Sequence, residues 1–253
     1  MPDEGRSHGD PHSRPRPPAA SAGALRVGGF EPFSSGDYPG ALAAVVFCQG
    51  CPWRCRYCHN PELLPARGDD ERDFARILDW LASRRGLLDA VVFSGGEPTA
   101  QPALPTAIAA VRARGFAIGL HTGGAYPRRL ARVLPEVDWV GLDVKAASGD
   151  YGAVTGIPGS GLGAFESLDV VVRSGVAFEV RTTVHPSLTP PPALESLARE
   201  LAAHGVERLV LQAFRPTGCA DVPLVAAAPA GAVLDSDLLG ELSRHVPVID
   251  IRS

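Results

Sequence analysis

Four thiols crowd into eleven residues of this chain, in the run Cys48-Gln-Gly-Cys51-Pro-Trp-Arg-Cys55-Arg-Tyr-Cys58-His59-Asn60. Thiolates grouped this way are ligands for soft metals or iron–sulfur clusters. Three chemistries compete. Structural zinc takes four N or S ligands, as a rule from two separated knuckles, whereas both Cys-x2-Cys pairs here share one short loop. A fully ligated electron carrier also uses four thiolates, but Cys-x2-Cys-x3-Cys-x2-Cys is not the ferredoxin run. The third reading takes only Cys51, Cys55 and Cys58 as ligands of a 4Fe–4S cluster. One iron then stays open, and an open position is what makes a metal centre catalytic. Cys48 reads in that case as a small buried residue closing a strand. Cys219, which has no partner motif, reads as structural.

Composition narrows the setting. With 24 Lys+Arg against 28 Asp+Glu, the 253-residue chain carries −4, which argues against a nucleic-acid partner. No apolar run reaches the length of a membrane span. The start, MPDEGRSHGDPHSRPRPP, lacks the apolar core of an export signal. Clustered thiols in a chain that stays inside point to a reducing, cytoplasmic location. Residues 1–24 have no periodicity and are expected to form a disordered tail, followed by one domain over 25–253.

The elements that must position the cysteines alternate regularly. Strands are expected at 42–47, 89–94, 116–121, 137–145, 176–185 and 208–214, with a short one at 247–252. Helices are expected at 73–84, 105–114, 127–134, 164–173, 193–203 and 236–245. Six β/α repeats in succession predict an α/β fold with a parallel sheet. Polar residues recur on one face of the strands: Asp143 and Lys145 oppose Val140, Leu142 and Val144, while Arg181, Thr183 and His185 oppose Val180 and Val184. A doubly wound sheet buries both faces under helices and should be apolar on both. The alternation therefore favours a partial (β/α)6 TIM-type barrel, with its site at the C-terminal strand ends.

Cys51-x3-Cys55-x2-Cys58 resembles the cluster motif of the radical S-adenosylmethionine (SAM) enzymes, and the resemblance runs from about residue 28 to 252. Residues 33–40 followed by AVVFCQGCPWRCRYCHNPELL, and later RTTVHP and LQAFRP, are most similar to the anaerobic ribonucleoside-triphosphate reductase activating proteins. Those belong to the glycyl-radical-enzyme activase group. The resemblance implies a barrel of the radical SAM kind and an oxidoreductase with a 4Fe–4S cluster and SAM as cofactors. Its reaction would reduce SAM to methionine and a 5′-deoxyadenosyl radical, which takes a hydrogen atom from a glycine of the partner. The implied partner is a glycyl radical enzyme, anaerobic ribonucleotide reductase foremost, with flavodoxin or ferredoxin as reductant.

The resemblance also assigns residues. Ser94-Gly95-Gly96-Glu97-Pro98 corresponds to the motif that meets the SAM amino group, where glycine permits close approach and a carboxylate complements an ammonium. Read alone, Glu97 is an acid at a helix start. Tyr57 corresponds to the aromatic packed near the adenine, with Trp53 and His59 as loop-packing neighbours. His121-Thr122 departs from the acidic residue that related activases often place before Thr. Thr122 is either a contact to the SAM ribose or carboxylate, or a helix cap. Asp143 and Lys145 are either an internal ion pair or binding residues. His185 is a further candidate, with Gln212 behind it. Gly159-Ser-Gly161-Leu-Gly163-Ala164 fits a dinucleotide fingerprint in letters but lacks the preceding strand; residues 148–163 are expected to form a mobile rim touching the partner. Two rival readings remain: a radical SAM enzyme acting on a small molecule, and a non-catalytic iron–sulfur or zinc module.

Overall fold

The computed structural model describes residues 21–228 and 234–252. Most of the expected disordered tail, residues 1–20, lies outside the described residues. Ala22–Ala24 forms a single 3-10 turn, and Leu25 beyond it is buried.

Eight strands form one sheet in sequential order: β1 (Val27–Ser34), β2 (Ala43–Cys48), β3 (Ala90–Gly95), β4 (Ala117–Thr122), β5 (Trp139–Asp143), β6 (Ala177–Val184), β7 (Arg208–Ala213) and β8 (Val248–Arg252). β1 pairs antiparallel with β2, and all later neighbours are parallel. Helices fill the crossovers: α1 (Phe74–Ala82), α2 (Leu104–Arg112), α3 (Pro127–Val133), α4 (Tyr151–Thr155), α5 (Ser160–Ser174), α6 (Pro191–Ala203), α7 (Val222–Ala226) and α8 (Ser236–Leu242). The order decides between the two expected architectures. A doubly wound sheet reverses its strand order at a switch point, whereas this one never reverses. Right-handed crossovers in unbroken sequence stack every helix on one face and leave the other face as a barrel interior.

The helices start and stop for local reasons. Asp73 caps α1 by accepting from the Ala75 N–H at 2.9 Å, and Phe74, Ile77, Leu78 and Leu81 form its buried stripe. Proline near the first turn opens α2, α3 and α6, where its missing N–H costs nothing. The apolar residues divide into two clusters that match the two sheet faces. Ala44, Val46, Val91, Phe93, Leu120, Val140 and Leu142 pack under the helices, while Ala43, Val45, Ala90 and Val92 form a small cluster with Tyr38 and Phe47.

Two expectations fail. β1 was not expected at all: its sequence VGGFEPFS carries two glycines and a proline, which strands resist except at an edge. At Gly28 a Cβ would come within 2.3 Å of the Gln49 side-chain oxygen, so any larger residue there would have to displace Gln49. Residues 148–163 are not an irregular loop either. They contain α4, in which Tyr151, Val154 and Thr155 are buried, and the first turn of α5. Glycines at 161 and 163 masked that helix start, yet Gly161 sits where a Cβ would lie 2.2 Å from the Ser148 carbonyl oxygen.

A polar network occupies the barrel interior beneath the C-terminal strand ends. Arg181 donates from Nε to Asp143 Oδ1 at 2.8 Å, and its guanidinium lies over Gly141, where a Cβ would clash at 2.7 Å. His121 Nε2 donates to the Asp37 carbonyl at 2.9 Å, and its ring meets Trp139 edge-on. Burial, with Arg181 adjacent, pushes His121 down to about 3. The folded ring therefore stays neutral while the unfolded ring takes a proton below about pH 6.5, so stability drains as pH falls from there toward 3. His121→Gln, which keeps an N–H donor, should remove about 1.4 kcal/mol per pH unit of that slope between about pH 6 and pH 4. Urea unfolding of both chains across this range measures it, and parallel curves would refute it.

Candidate active site

The cysteine loop leaves β2 at its C-terminal end, as expected, and irregular backbone carries it back across the barrel mouth. Backbone bonds fix it on two sides. Gly50 and Cys51 N–H donate to the carbonyls of Leu63 (2.8 Å) and Leu64 (3.2 Å), and Arg54 and Arg56 N–H to those of Thr155 (2.8 Å) and Val154 (3.0 Å). Sequence reasoning missed a third support, residues 214–221 after β7. Arg56 pairs with Asp221 at 2.7 Å, His59 Nε2 donates to the Arg215 carbonyl at 2.9 Å, and Cys219 Sγ donates to the Arg56 carbonyl at 3.3 Å. Cys219 is thus structural, as read from the sequence. The LQAFRP stretch reaches into this segment, but nothing in it names partners that lie more than 150 residues away.

Cys51, Cys55 and Cys58 line one cavity of about 300 Å³ at the C-terminal strand ends. Tyr57, Gly95, Gly96, Glu97, Asp143 and Lys145 line it too. All five cysteines are free thiols. Burial pushes Cys51 up to about 12 and raises Cys55 and Cys58, with Lys145 pulling in the opposite direction on each. Neutral thiols gathered in a buried pocket become ligands when a metal displaces their protons.

Strand parity places Cys48 away from the thiol cavity. It shares the face of Ala44 and Val46, is fully buried among the helices, and does not reach the cavity. A four-thiolate zinc site is therefore not assembled. Among the described residues, no three His, Cys, Asp or Glu side chains converge on one metal ion. Three thiols lining one cavity match the three-ligand reading of the sequence.

Gly95 and Gly96 serve the loop more directly than expected. At Gly95, φ +112°, a Cβ would lie 2.3 Å from the Cys48 nitrogen; at Gly96 it would lie 2.5 Å from the Gly50 oxygen. Both are needed to dock this turn against the cysteine loop. The Glu97 carboxylate is 1% exposed at the residue level and accepts from Thr99, Thr122 and Gly123. It also caps the 3-10 turn Pro98–Ala100, as the reading of Glu97 as an acid at a helix start expects.

Lys145 Nζ stands 4.0 Å from Asp143 Oδ2 and over the rings of Trp53 (5.8 Å) and Tyr57 (5.5 Å). Burial opposes its charge, but the ionised Asp143 carboxylate beside it favours the charged form, and its pKa lies well above the usual lysine value. Burial raises Asp143, yet Arg181 and Lys145 prevail and hold it below the usual carboxylate range. Asp143 and Lys145 thus form an ion pair that also borders the cavity. Two expected site residues lie elsewhere. His185 is fully buried outside the cavity: its Nε2 donates to the Leu224 carbonyl at 3.1 Å, Nδ1 accepts from the Ser187 N–H, and Phe214 meets its ring edge-on. β6 ends at Val184, so the inward alternation stops at Thr183, which does line the cavity. Thr122 is buried behind Glu97 and is not part of the cavity wall.

Residues 45–198 match the radical SAM superfamily. The chain belongs to that superfamily. Two relatives place it in the glycyl-radical-enzyme activating group. It is 28% identical over 204 residues to a Methanocaldococcus jannaschii protein named as a glycyl-radical enzyme activating enzyme, covering 77% of this chain and 82% of the relative. It is 32% identical over 170 residues to the pyruvate formate-lyase-activating enzyme of Clostridium pasteurianum, covering 65% and 70%. The fold is that of Streptococcus suis SuiB, solved bound to S-adenosylmethionine, with TM-score 0.59 and 11% identity; the match covers 81% of this chain and 48% of SuiB. Radical SAM enzymes use a 4Fe–4S cluster and SAM, and this one is a radical SAM enzyme.

Replacing Cys51, Cys55 or Cys58 with Ala should drop cluster iron to background after anaerobic reconstitution, while Cys48→Ala retains it. Loss in the Cys48 variant with retention in another would overturn the ligand set. Gly95→Ala should cost roughly 1–3 kcal/mol from backbone strain alone, and more from the contact with Cys48. Thermal melts together with iron content would show both effects, and a wild-type melt would contradict the docking role.

Proposed function

We propose that Cys51, Cys55 and Cys58 hold the 4Fe–4S cluster, that Glu97 accepts the ammonium of SAM, and that Tyr57 supplies an aromatic face for the adenine. The protein substrate is a glycine of a glycyl radical enzyme, read as anaerobic ribonucleotide reductase, with flavodoxin or ferredoxin as reductant in the cytoplasm. The bound cofactors supply single-electron cleavage of SAM and the hydrogen-abstracting species it releases. The protein's own residues orient and shield. The cysteine loop is tied on three sides, and buried Lys145 brings a fixed positive charge to the thiol cavity. Ionic contacts are stronger in such a water-poor pocket than in bulk solvent.

The observation that carries this reading is the meeting of three cavity thiols with a buried acceptor, Glu97, on one wall. Thr183, Gln212 and Arg215, from the two stretches that resemble the reductase activating proteins, line the same cavity. The Clostridium relative's name favours a second partner, pyruvate formate-lyase. Among the described residues no helix is long and apolar enough to cross a membrane.

Anaerobic incubation of the reconstituted protein with SAM, reductant and each candidate partner separates these readings. A glycyl doublet in electron paramagnetic resonance is expected on the ribonucleotide reductase, and it should vanish when the partner's glycine is replaced by alanine. A doublet on pyruvate formate-lyase alone would reassign the partner. SAM turnover matched by consumption of a small molecule, with no protein radical, would sink the activase reading.

A further inference from the structure

Thr122 and Glu97 stand 25 residues apart in the chain and meet behind the cavity wall. The geometry points to Thr122 as a positioning residue that aims the Glu97 carboxylate at the SAM ammonium, rather than as a direct contact to SAM; this rests on the proposed role of Glu97. The hydrogen-bond inventory carries the argument. Glu97 Oε1 takes three donors: the Thr99 N–H at 3.1 Å, the Thr99 hydroxyl at 2.5 Å and the Thr122 hydroxyl at 2.7 Å. Oε2 takes one, the Gly123 N–H at 2.9 Å. An ionised carboxylate offers about four acceptor positions, two on each oxygen. Oε1 is therefore saturated, and Oε2 keeps a position for one more donor. Glu97 is part of the cavity wall, whereas Thr99 and Thr122 are not.

The Thr122 hydroxyl has a single proton, and its direction is determined. Its oxygen accepts from the Gly124 N–H at 3.0 Å, so the proton goes to Glu97. Thr122 does not line the cavity, so its hydroxyl reaches a ligand there only through Glu97. The same side chain thus ties the turn at Gly124 to the carboxylate and restricts rotation of that carboxylate about its final bond. A Glu97 released from Oε1 could turn both oxygens toward its own backbone turn and lose the acceptor offered to the cavity.

The test compares two ligands on the reconstituted protein by anaerobic calorimetry. SAM carries the ammonium, and 5′-methylthioadenosine shares its nucleoside but lacks the amino-acid half. Thr122→Val should weaken SAM by about tenfold, the scale of one hydrogen bond to a charged group, and leave 5′-methylthioadenosine within about twofold. Thr122→Ser, which keeps the hydroxyl, should restore SAM binding. Thr99→Val removes another donor from the same oxygen and carries the same expectation, and it stands in should Thr122→Val fail to fold. Unchanged SAM affinity in the valine variants would overturn the proposal, as would equal loss of both ligands, which marks a merely structural residue. Glu97→Gln separates the levels. If it binds SAM like wild type, the ammonium reading falls and the proposal with it; if it weakens SAM while the valine variants do not, only the positioning role falls.

Discussion

The site depends on a backbone seam between two loops. Where β2 and β3 end, their pairing continues past the strands: the Gly96 N–H donates to the Cys48 carbonyl and the Glu97 N–H to the Gly50 carbonyl, both at 2.9 Å. Parallel strands in register bring Cys48 beside Gly95, and neither glycine has room for a side chain. The seam places the ligand-bearing loop and the carboxylate-bearing turn at a distance set by peptide geometry rather than by side-chain packing. Backbone bonds of this kind tolerate little adjustment, because an unpaired buried N–H costs about as much as a lost hydrogen bond. Three thiols and Glu97 therefore share one wall whatever the outer surface does.

The barrel interior supports that wall with charge. Arg181, Asp143 and Lys145 run upward from the plugged lower barrel to the cavity, with Asp143 between two cations. Taken separately, each buried charge would be expensive; satisfied by partners, they become a rigid polar filling. Arg181 needs Gly141 beneath it, and Trp139 and Tyr38 close the space below. Lys145 then emerges as a fixed cation among aromatic faces. Weaker contacts hold the outer side. The Arg56–Asp221 pair is partly exposed and contributes at most about 1 kcal/mol, so residues 214–221 act through several small ties together.

How legible this was depended on the range of each interaction. The cluster ligands could be read from the chain because they are local: three thiols within eight residues, immediately after a β-rich run. The barrel could be read because period-two alternation on 137–145 and 176–185 survives in the observed faces. Parity even predicted the inward sides of Asp143, Lys145 and Thr183, and it failed at His185 only because β6 stops one residue short. β1 stayed hidden because an edge strand can carry Gly-Gly and Pro without the usual penalty. The start of α5 stayed hidden because its glycines answer to a neighbouring carbonyl, not to helix propensity. The support from residues 214–221 and the Thr122–Glu97 bond were beyond reach, since nothing in either segment names its distant partner.

The most direct test of the three-thiol site is Mössbauer spectroscopy of the 57Fe-reconstituted protein, with and without SAM. Cys51, Cys55 and Cys58 as the ligands, with Cys48 held on the opposite face of the sheet, predict a 4Fe–4S spectrum in which a single iron site shifts when SAM is added. A cluster whose irons all ignore SAM, or iron bound without a cubane, would contradict the account.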